Sequence, residues 1–359
     1  MSAANLLAYS RAGFERECAQ EITALAAAAG VPGFVRAKPD SAFALFQPHD
    51  PERAVDFAQG LDGTRTVFPR QVVRCGEALA GLAAGDRVAP VVAAAGGFGN
   101  AFRELFLETP DTNDGKALAS LLRPLEAHLR RGLQRAGIAV DDPHARERLH
   151  VFFLGGDACH VGVTRVGASS PWPMGIARLR MPRGAPSRST LKLAEAFAAL
   201  VGDDAAARLL RPGMTAVDLG ASPGGWTWQL VRRGLMVTAV DNGPMDPALL
   251  ETGQVKHRRE DGLGYRPPAP VDWMVCDMLE SPSRACALAA DWIARGWCRE
   301  CIVNLKLPMK RRWEEVLRAR GIVEKALAGT PHRLRMKHLY HDREEVTAWL
   351  SAGSRRVAC

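Results

Sequence analysis

In the second half of the chain, five polar residues each close or follow a short apolar run. They are Asp218 after "TAV", Asp241 after "MVTAV", Asp261 in "REDG", Asp277 after "WMVC" and Lys306 after "CIVNL". Taken singly, each could be a helix cap or a surface charge. In an open parallel sheet, however, ligands bind beyond the carboxyl ends of the strands, so five such ends define one polar rim. Carboxylates there can hold a ribose hydroxyl pair, and Asp241 stands at about the ~20-residue spacing from a glycine loop at which that grip occurs. The loop is Gly220, Ser222, Pro223, Gly224 and Gly225, running into Trp226. Glycine there lets a ligand approach the backbone. A dinucleotide loop would carry a second glycine to admit pyrophosphate, and this loop lacks it; no Lys-Ser/Thr pair follows, as a P-loop requires. A ligand with adenosine and an amino-acid end but no phosphates fits better: S-adenosylmethionine, its methionine end on the loop and its adenosine held by Asp241 and Asp261.

The elements that must position these residues alternate. "TAVDLG", "MVTAVD", "VDWMVCDM" and "CIVNLKLP" read as strands, "GWTWQLVRRG" and "PSRACALAADWIARG" as helices, and another helix begins near Thr190. Such alternation predicts βαβ units and a parallel sheet. "LRMKHLYH", Asp342-Arg343 and "EEVTAWL" then predict a closing β-hairpin. The first half reads as α+β. It has strand candidates in "NLLAYS", "SAFALFQ" and "RTVFPRQVVRC", a helix ending at Gly30, and a Leu118–Leu133 helical stripe that Pro124 should kink or restart. "LHVFFLGGDACHVGVTRV" carries a hairpin signal at Gly155-Gly156-Asp157. Between the halves lies a Pro-, Gly-, Ser- and Arg-rich stretch without periodicity, residues 169–187.

The chain has 359 residues, a formal net charge of +8 and 47% apolar residues, which allows two or three domains and favours a polyanionic partner. No acidic residue occurs between Asp157 and Glu195, yet Arg178, Arg180, Arg183 and Arg188 do; Lys310 and Arg311 lie in a second basic run. These six are the candidate RNA contacts. No apolar run is long enough for a membrane span, and the start lacks a secretion signal, so a cytoplasmic location is expected. The cysteines form no framework; Cys298 and Cys301 alone make a CxxC, read as chance, and no metal is expected. Cys276 reads as a core thiol.

"DLGASPGGW" resembles motif I of class I methyltransferases, in the variant of the FtsJ-type ribose 2′-O-methyltransferases. Those enzymes carry a Lys-Asp-Lys-Glu tetrad, which the resemblance places on Lys192, Asp277, Lys306 and Glu345, with Glu344 as the neighbouring alternative. "YSRAGFERECAQEI", "VFPRQ", "ETPDTNDGK" and "PWPMGIARLRMPRGAPSRSTLKL" extend the resemblance over the whole chain, to the RlmM family of bacterial large-subunit rRNA 2′-O-methyltransferases. Pro69 and Ser222 depart from that pattern without removing a catalytic group. The resemblance implies a ferredoxin-like region over 1–62, an RNA-binding THUMP domain over 63–168, a basic linker over 169–187 and a Rossmann-like methyltransferase domain over 188–359. It also implies Ser189 and Asp277 beside the cofactor, and as substrate a cytidine of the peptidyl-transferase region of 23S rRNA, free or in an early large-subunit assembly intermediate. Nothing in the sequence fixes an oligomeric state.

A ribose hydroxyl is a poor nucleophile and needs a base as it attacks a methyl sulfonium. The expectation is that Lys306 is that base, that Lys192 depresses its pKa and orients the hydroxyl, and that Asp277 and Glu345 hold the lysines. Two rivals are an RNA-binding ribosome-assembly factor with a vestigial methyltransferase fold, disfavoured by the intact tetrad, and a nicotinamide oxidoreductase, disfavoured by the missing glycine.

Overall fold

The computed structural model describes residues 5–353 and divides into two compact units, Met1–Ile176 and Ala177–Cys359. The division falls inside the basic stretch 169–187.

The first unit is built on one seven-stranded sheet in the order β2-β3-β1-β4-β7-β6-β5. Its strands are β1 (Asn5–Tyr9), β2 (Gly33–Ala37), β3 (Phe43–Pro48), β4 (Gln71–Cys75), β5 (Leu105–Glu108), β6 (Glu147–Phe153) and β7 (Cys159–Arg165). β4 pairs with β1 on one side and β7 on the other, so hydrogen bonding is continuous across the sheet. Of "RTVFPRQVVRC" only the part beyond Pro69 is strand, because proline cannot donate to a ladder. The β6–β7 hairpin pairs Val151 with Val161 around the glycine turn. The leucine stripe forms as expected, burying Leu122, Leu129 and Leu133 against the sheet. The helix restarts at Leu118 rather than at Pro124, which lies inside the helix Ala119–Arg135.

The second unit orders its seven strands β10-β9-β8-β11-β12-β14-β13. They are β8 (Thr215–Leu219), β9 (Met236–Val240), β10 (Val255–Arg258), β11 (Trp273–Cys276), β12 (Glu300–Lys306), β13 (His332–Lys337) and β14 (Glu345–Ala352). β8 to β12 are parallel, and β14 runs antiparallel to both β12 and β13. The central strands are covered on both faces, which is why they read as unbroken apolar runs: every residue of β11 is buried. Trp273, Ile302 and Trp349 pack with Leu193, Phe197, Trp226 and Leu230 in one hydrophobic core. After β8 the chain goes outward to β9 and β10, then crosses to β11 and β12. The strand order therefore reverses between β8 and β11, where open α/β sheets bind ligands. The closing hairpin turns through a packed seven-residue connection, not a tight turn at Asp342-Arg343; Asp342 is fully buried and accepts from the Leu339 N–H and the Thr347 hydroxyl. No helix of the described residues is long and apolar enough to cross a membrane.

Candidate active site

Three strand ends and one helix meet at this switch point. Asp277 directly follows β11, Lys306 is the last residue of β12, and Glu345 is the first of β14 and the register partner of Lys306. Lys192 projects from the helix Thr190–Ala196. Lys306 Nζ donates to Asp277 Oδ1 at 2.8 Å and to Glu345 Oε1 at 2.6 Å. Lys192 Nζ donates to Glu345 Oε2 at 2.5 Å and lies 3.6 Å from Asp277 Oδ2. Two ammoniums and two carboxylates thus close a ring of zero net charge, each side chain no more than 20% exposed. Glu344 turns outward to Arg312 instead.

Asn304 completes the ring and was not singled out from the sequence. It sits two residues before Lys306, hence on the same face of β12, and is 1% exposed. Its Nδ2 donates to Asp277 Oδ1 at 2.9 Å and to Glu345 Oε2 at 2.7 Å. The period of the strand is the signal that could have found it.

The electrostatics of Lys306 differ from expectation. Burial lowers its pKa, but contact with Asp277 and Glu345 raises it more, so the net shift is upward. Burial likewise raises Glu345, and its bonds to Lys192 and Lys306 reverse the sign and hold it below its usual range. Lys192 is present, but the carboxylates that bind both lysines outweigh any repulsion between the ammoniums.

Beside this ring lies the glycine loop. Gly220 and Gly224 take φ of +77° and +118°, and the Ser222–Pro223 peptide is cis. A Cβ on Gly225 would stand 2.1 Å from Ser189 Oγ and 2.4 Å from Ser187 Oγ, so only glycine lets that serine turn pack on the loop. Asp241 is pinned at its strand end: the Ser222 N–H donates to Oδ2 at 3.0 Å and the Gly243 N–H to Oδ1 at 2.7 Å. Asp261 is exposed, with Oδ1 accepting from the Leu263 N–H at 3.2 Å. The Trp226 indole lies in the hydrophobic core. Asp218, beneath the loop, is fully buried; Thr227 donates to its Oδ2 at 2.6 Å while its Oδ1 has no partner. Burial pushes its carboxyl up to about 7, with Asp277 and Asp241 adding to the rise. An unpartnered buried carboxyl oxygen under a glycine loop, between two further carboxylates, suits a cationic ligand with an ammonium and a ribose. These residues fit S-adenosylmethionine.

Cys276 is buried and its thiol is pushed up to about 12 by burial, which removes it as a nucleophile at neutral pH. Cys298 and Cys301 are buried with Sγ atoms 3.2 Å apart, and no group of three or more metal-ligating side chains occurs among the described residues. Arg178, Arg180, Arg183, Arg188, Lys310 and Arg311 are all exposed.

A raised carboxyl in the fold binds its proton more tightly than in the unfolded chain. The corresponding stability is therefore complete below the ordinary aspartate range and is lost as pH rises toward about 7. Asp218→Asn should flatten this dependence: between pH 4 and 7 the ligand-free variant loses less stability than the wild type in denaturant titrations. A variant that tracks the wild type across that range would contradict the assignment.

Comparison with known proteins places the chain in a family. Residues 3–73 match the RlmM ferredoxin-like domain family, residues 86–165 the N-terminal family of ribosomal RNA large subunit methyltransferase M, and residues 185–357 the FtsJ-like methyltransferase family. The chain is 52% identical over 351 residues to the ribosomal RNA large subunit methyltransferase M of Methylococcus capsulatus, covering 97% of this chain and 98% of the relative. It is 47% identical over 352 residues to that of Thauera aminoaromatica (98% and 97% covered) and 46% identical over 360 residues to that of Erwinia tasmaniensis (98% of each). The chain belongs to the ribosomal RNA large subunit methyltransferase M family and is an S-adenosylmethionine-dependent rRNA methyltransferase.

Proposed function

We propose that the methyl acceptor is the ribose 2′-hydroxyl of a cytidine in the peptidyl-transferase region of 23S rRNA. The Lys192–Asp277–Lys306–Glu345 ring carries this reading, because it offers a lysine to take a hydroxyl proton and supplies neither a nucleophilic thiol nor an amine-binding motif. When bound, S-adenosylmethionine supplies an electrophilic methyl group. Lys192 orients the hydroxyl, and Asp277 and Glu345 hold both ammoniums so that the attacking oxygen lies in line. The proton passes to the neutral form of Lys306. Because Lys306 is held above its ordinary pKa, that form is scarce at neutral pH. The hydroxyl becomes strongly acidic only as its oxygen gains the methyl group, so a small neutral fraction at that moment suffices. The exposed arginines of the basic stretch, with Lys310 and Arg311, bind phosphates. Residues 1–62 and 63–168 serve as ferredoxin-like and THUMP regions that bind RNA, joined by the 169–187 linker to the catalytic domain. The substrate is free rRNA or an early assembly intermediate.

The deciding experiment incubates the protein with methyl-labelled cofactor and undermodified 23S rRNA, then maps the label by resistance to alkaline hydrolysis. Label that enters bases alone, or no RNA at all, would overturn the ribose assignment. Lys306→Ala should lower turnover by about 10²–10⁴-fold while the cofactor still binds; retained turnover would remove Lys306 as base.

The single-turnover rate should climb with pH into the alkaline range. Glu345 stabilises the Lys306 ammonium, so Glu345→Gln should shift the midpoint of that climb to lower pH while reducing the plateau. An unmoved midpoint would dissociate Glu345 from the base. Replacing Arg180, Arg183 and Arg188 with alanine should reduce the slope of log affinity against log salt by about 2–3, near 0.7–0.9 per lost phosphate contact; an unchanged slope would place the RNA elsewhere.

A further inference from the structure

Among the large apolar side chains at the surface of the described residues, two stand apart. Leu279 is 89% exposed and Met309 is 92% exposed, whereas the next, Phe34, is 47% exposed. Isolated exposed apolar residues are ordinary on a protein surface; the position of these two is not. Leu279 comes two residues after Asp277 and Met309 three residues after Lys306, so their Cα atoms lie within about 7 and 11 Å of those of the two tetrad residues. β11 and β12 are neighbouring parallel strands, and Asp277 and Lys306 are in contact at 2.8 Å. Both apolar side chains therefore stand on the one rim where a substrate ribose must enter.

The loops that carry them are anchored. The first runs into Ser281, whose side chain caps the helix Pro282–Ala294. The second leaves Lys306 through Leu307 and Pro308 and ends at Arg311, held at φ +57° as it enters the helix Arg312–Ala326. Ser283 donates to Glu315 at 2.7 Å, tying the starts of the two helices together. The helices into which the two loops run are thus tied together, and Lys310 and Arg311, exposed cations, directly follow Met309.

We propose that Leu279 and Met309 form a two-pronged apolar wedge for RNA. They enter the base stack beside the target nucleotide and hold its ribose turned into the tetrad, while Lys310 and Arg311 take the adjoining phosphates. Leucine and methionine serve as such wedges where proteins unstack nucleic acid, and flanking cations supply sequence-independent grip. The occupant follows from place and charge: the tips and the cations after Met309 adjoin the rim of an rRNA methyltransferase, and a phosphodiester strand can use both, its bases against the tips and its phosphates against the cations. The wedge rests on the ribose reading above.

The test compares full-length wild type with Leu279→Ser, Met309→Ser and the double variant on undermodified 23S rRNA transcript under single-turnover conditions. The double variant should transfer methyl groups to ribose about tenfold more slowly or worse, the scale of losing a base-stacking contact. Cofactor affinity, thermal midpoint and the salt slope of RNA binding should stay at wild-type values, and phenylalanine at either position should restore part of the rate. A double variant that methylates at the wild-type rate overturns the wedge alone. So does a loss of rate that comes with an equal loss of cofactor affinity or stability. A wild type that labels no ribose overturns the ribose reading itself, and the wedge with it.

Discussion

Four charges held together with little water set the terms for the catalytic unit. An ammonium or carboxylate withdrawn from solvent is costly unless it is paired and hydrogen-bonded, and Lys192, Asp277, Lys306 and Glu345 meet that requirement only as a set. Asp277 and Lys306 reach the rim as the ends of parallel strands. Glu345 cannot arrive that way, because it begins its strand: a parallel β14 would place its first residue on the opposite edge of the sheet. Inserting β14 antiparallel between β12 and β13 brings Glu345 opposite Lys306. The one reversal in an otherwise parallel sheet is what lets the ring close.

The same ring explains why the site is better described as an orienting device than as a store of strong base. With one carboxylate for each lysine, both lysine side chains are held in place, the ammonium form of Lys306 is favoured, and Asn304 fixes the carboxylates to each other. Next to it, Asp218, Asp241 and Asp277 crowd acidic groups beneath and beside the glycine loop; burial chiefly, with the charges of Asp277 and Asp241 in addition, raises Asp218 to about 7. A cationic sulfonium ligand relieves that crowding, whereas a pyrophosphate would add to it. The loop's missing glycine and the acidity around it therefore argue in the same direction.

Much of this was legible in the sequence, for identifiable reasons. Central parallel strands are apolar on both faces and end abruptly in a polar residue, so Asp241, Asp277 and Lys306 announced themselves. The resemblance favours Glu345 over Glu344, because the glutamate of the family it resembles leads directly into the last strand, as Glu345 leads into β14. Asn304 shows itself only through the two-residue period that puts it on the Lys306 face of β12, because its type alone does not tell a buried polar group from an exposed one. β2, with no buried residue, lacks the apolar pattern of a strand and exists through its pairing with β3. Trp226 stands in the loop motif, yet its side chain belongs to the core, because the motif constrains backbone and leaves the indole free to pack. The sign of the Lys306 shift was missed for a related reason: the lysine was easy to place, but the relative distances of one ammonium and two carboxylates are three-dimensional quantities.

Every nucleotide of an RNA presents a 2′-hydroxyl and a phosphate. On the ribose reading proposed above, the tetrad handles the first and the exposed arginines the second, and neither can tell one residue of the ribosome from another. A tetrad held rigid and neutral is indifferent to which ribose it receives, provided the hydroxyl arrives in line. Selection of one nucleotide then falls on whatever limits which ribose can arrive: the shape of the RNA recognised outside the catalytic rim, and the ease with which one particular step unstacks. Unstacking is easiest at a mismatched, bulged or single-stranded position, so a local weakness in the folded rRNA becomes part of the recognition signal. The chemistry of the rim thus sets what is modified on a nucleotide, and the mechanics of the substrate help to set where.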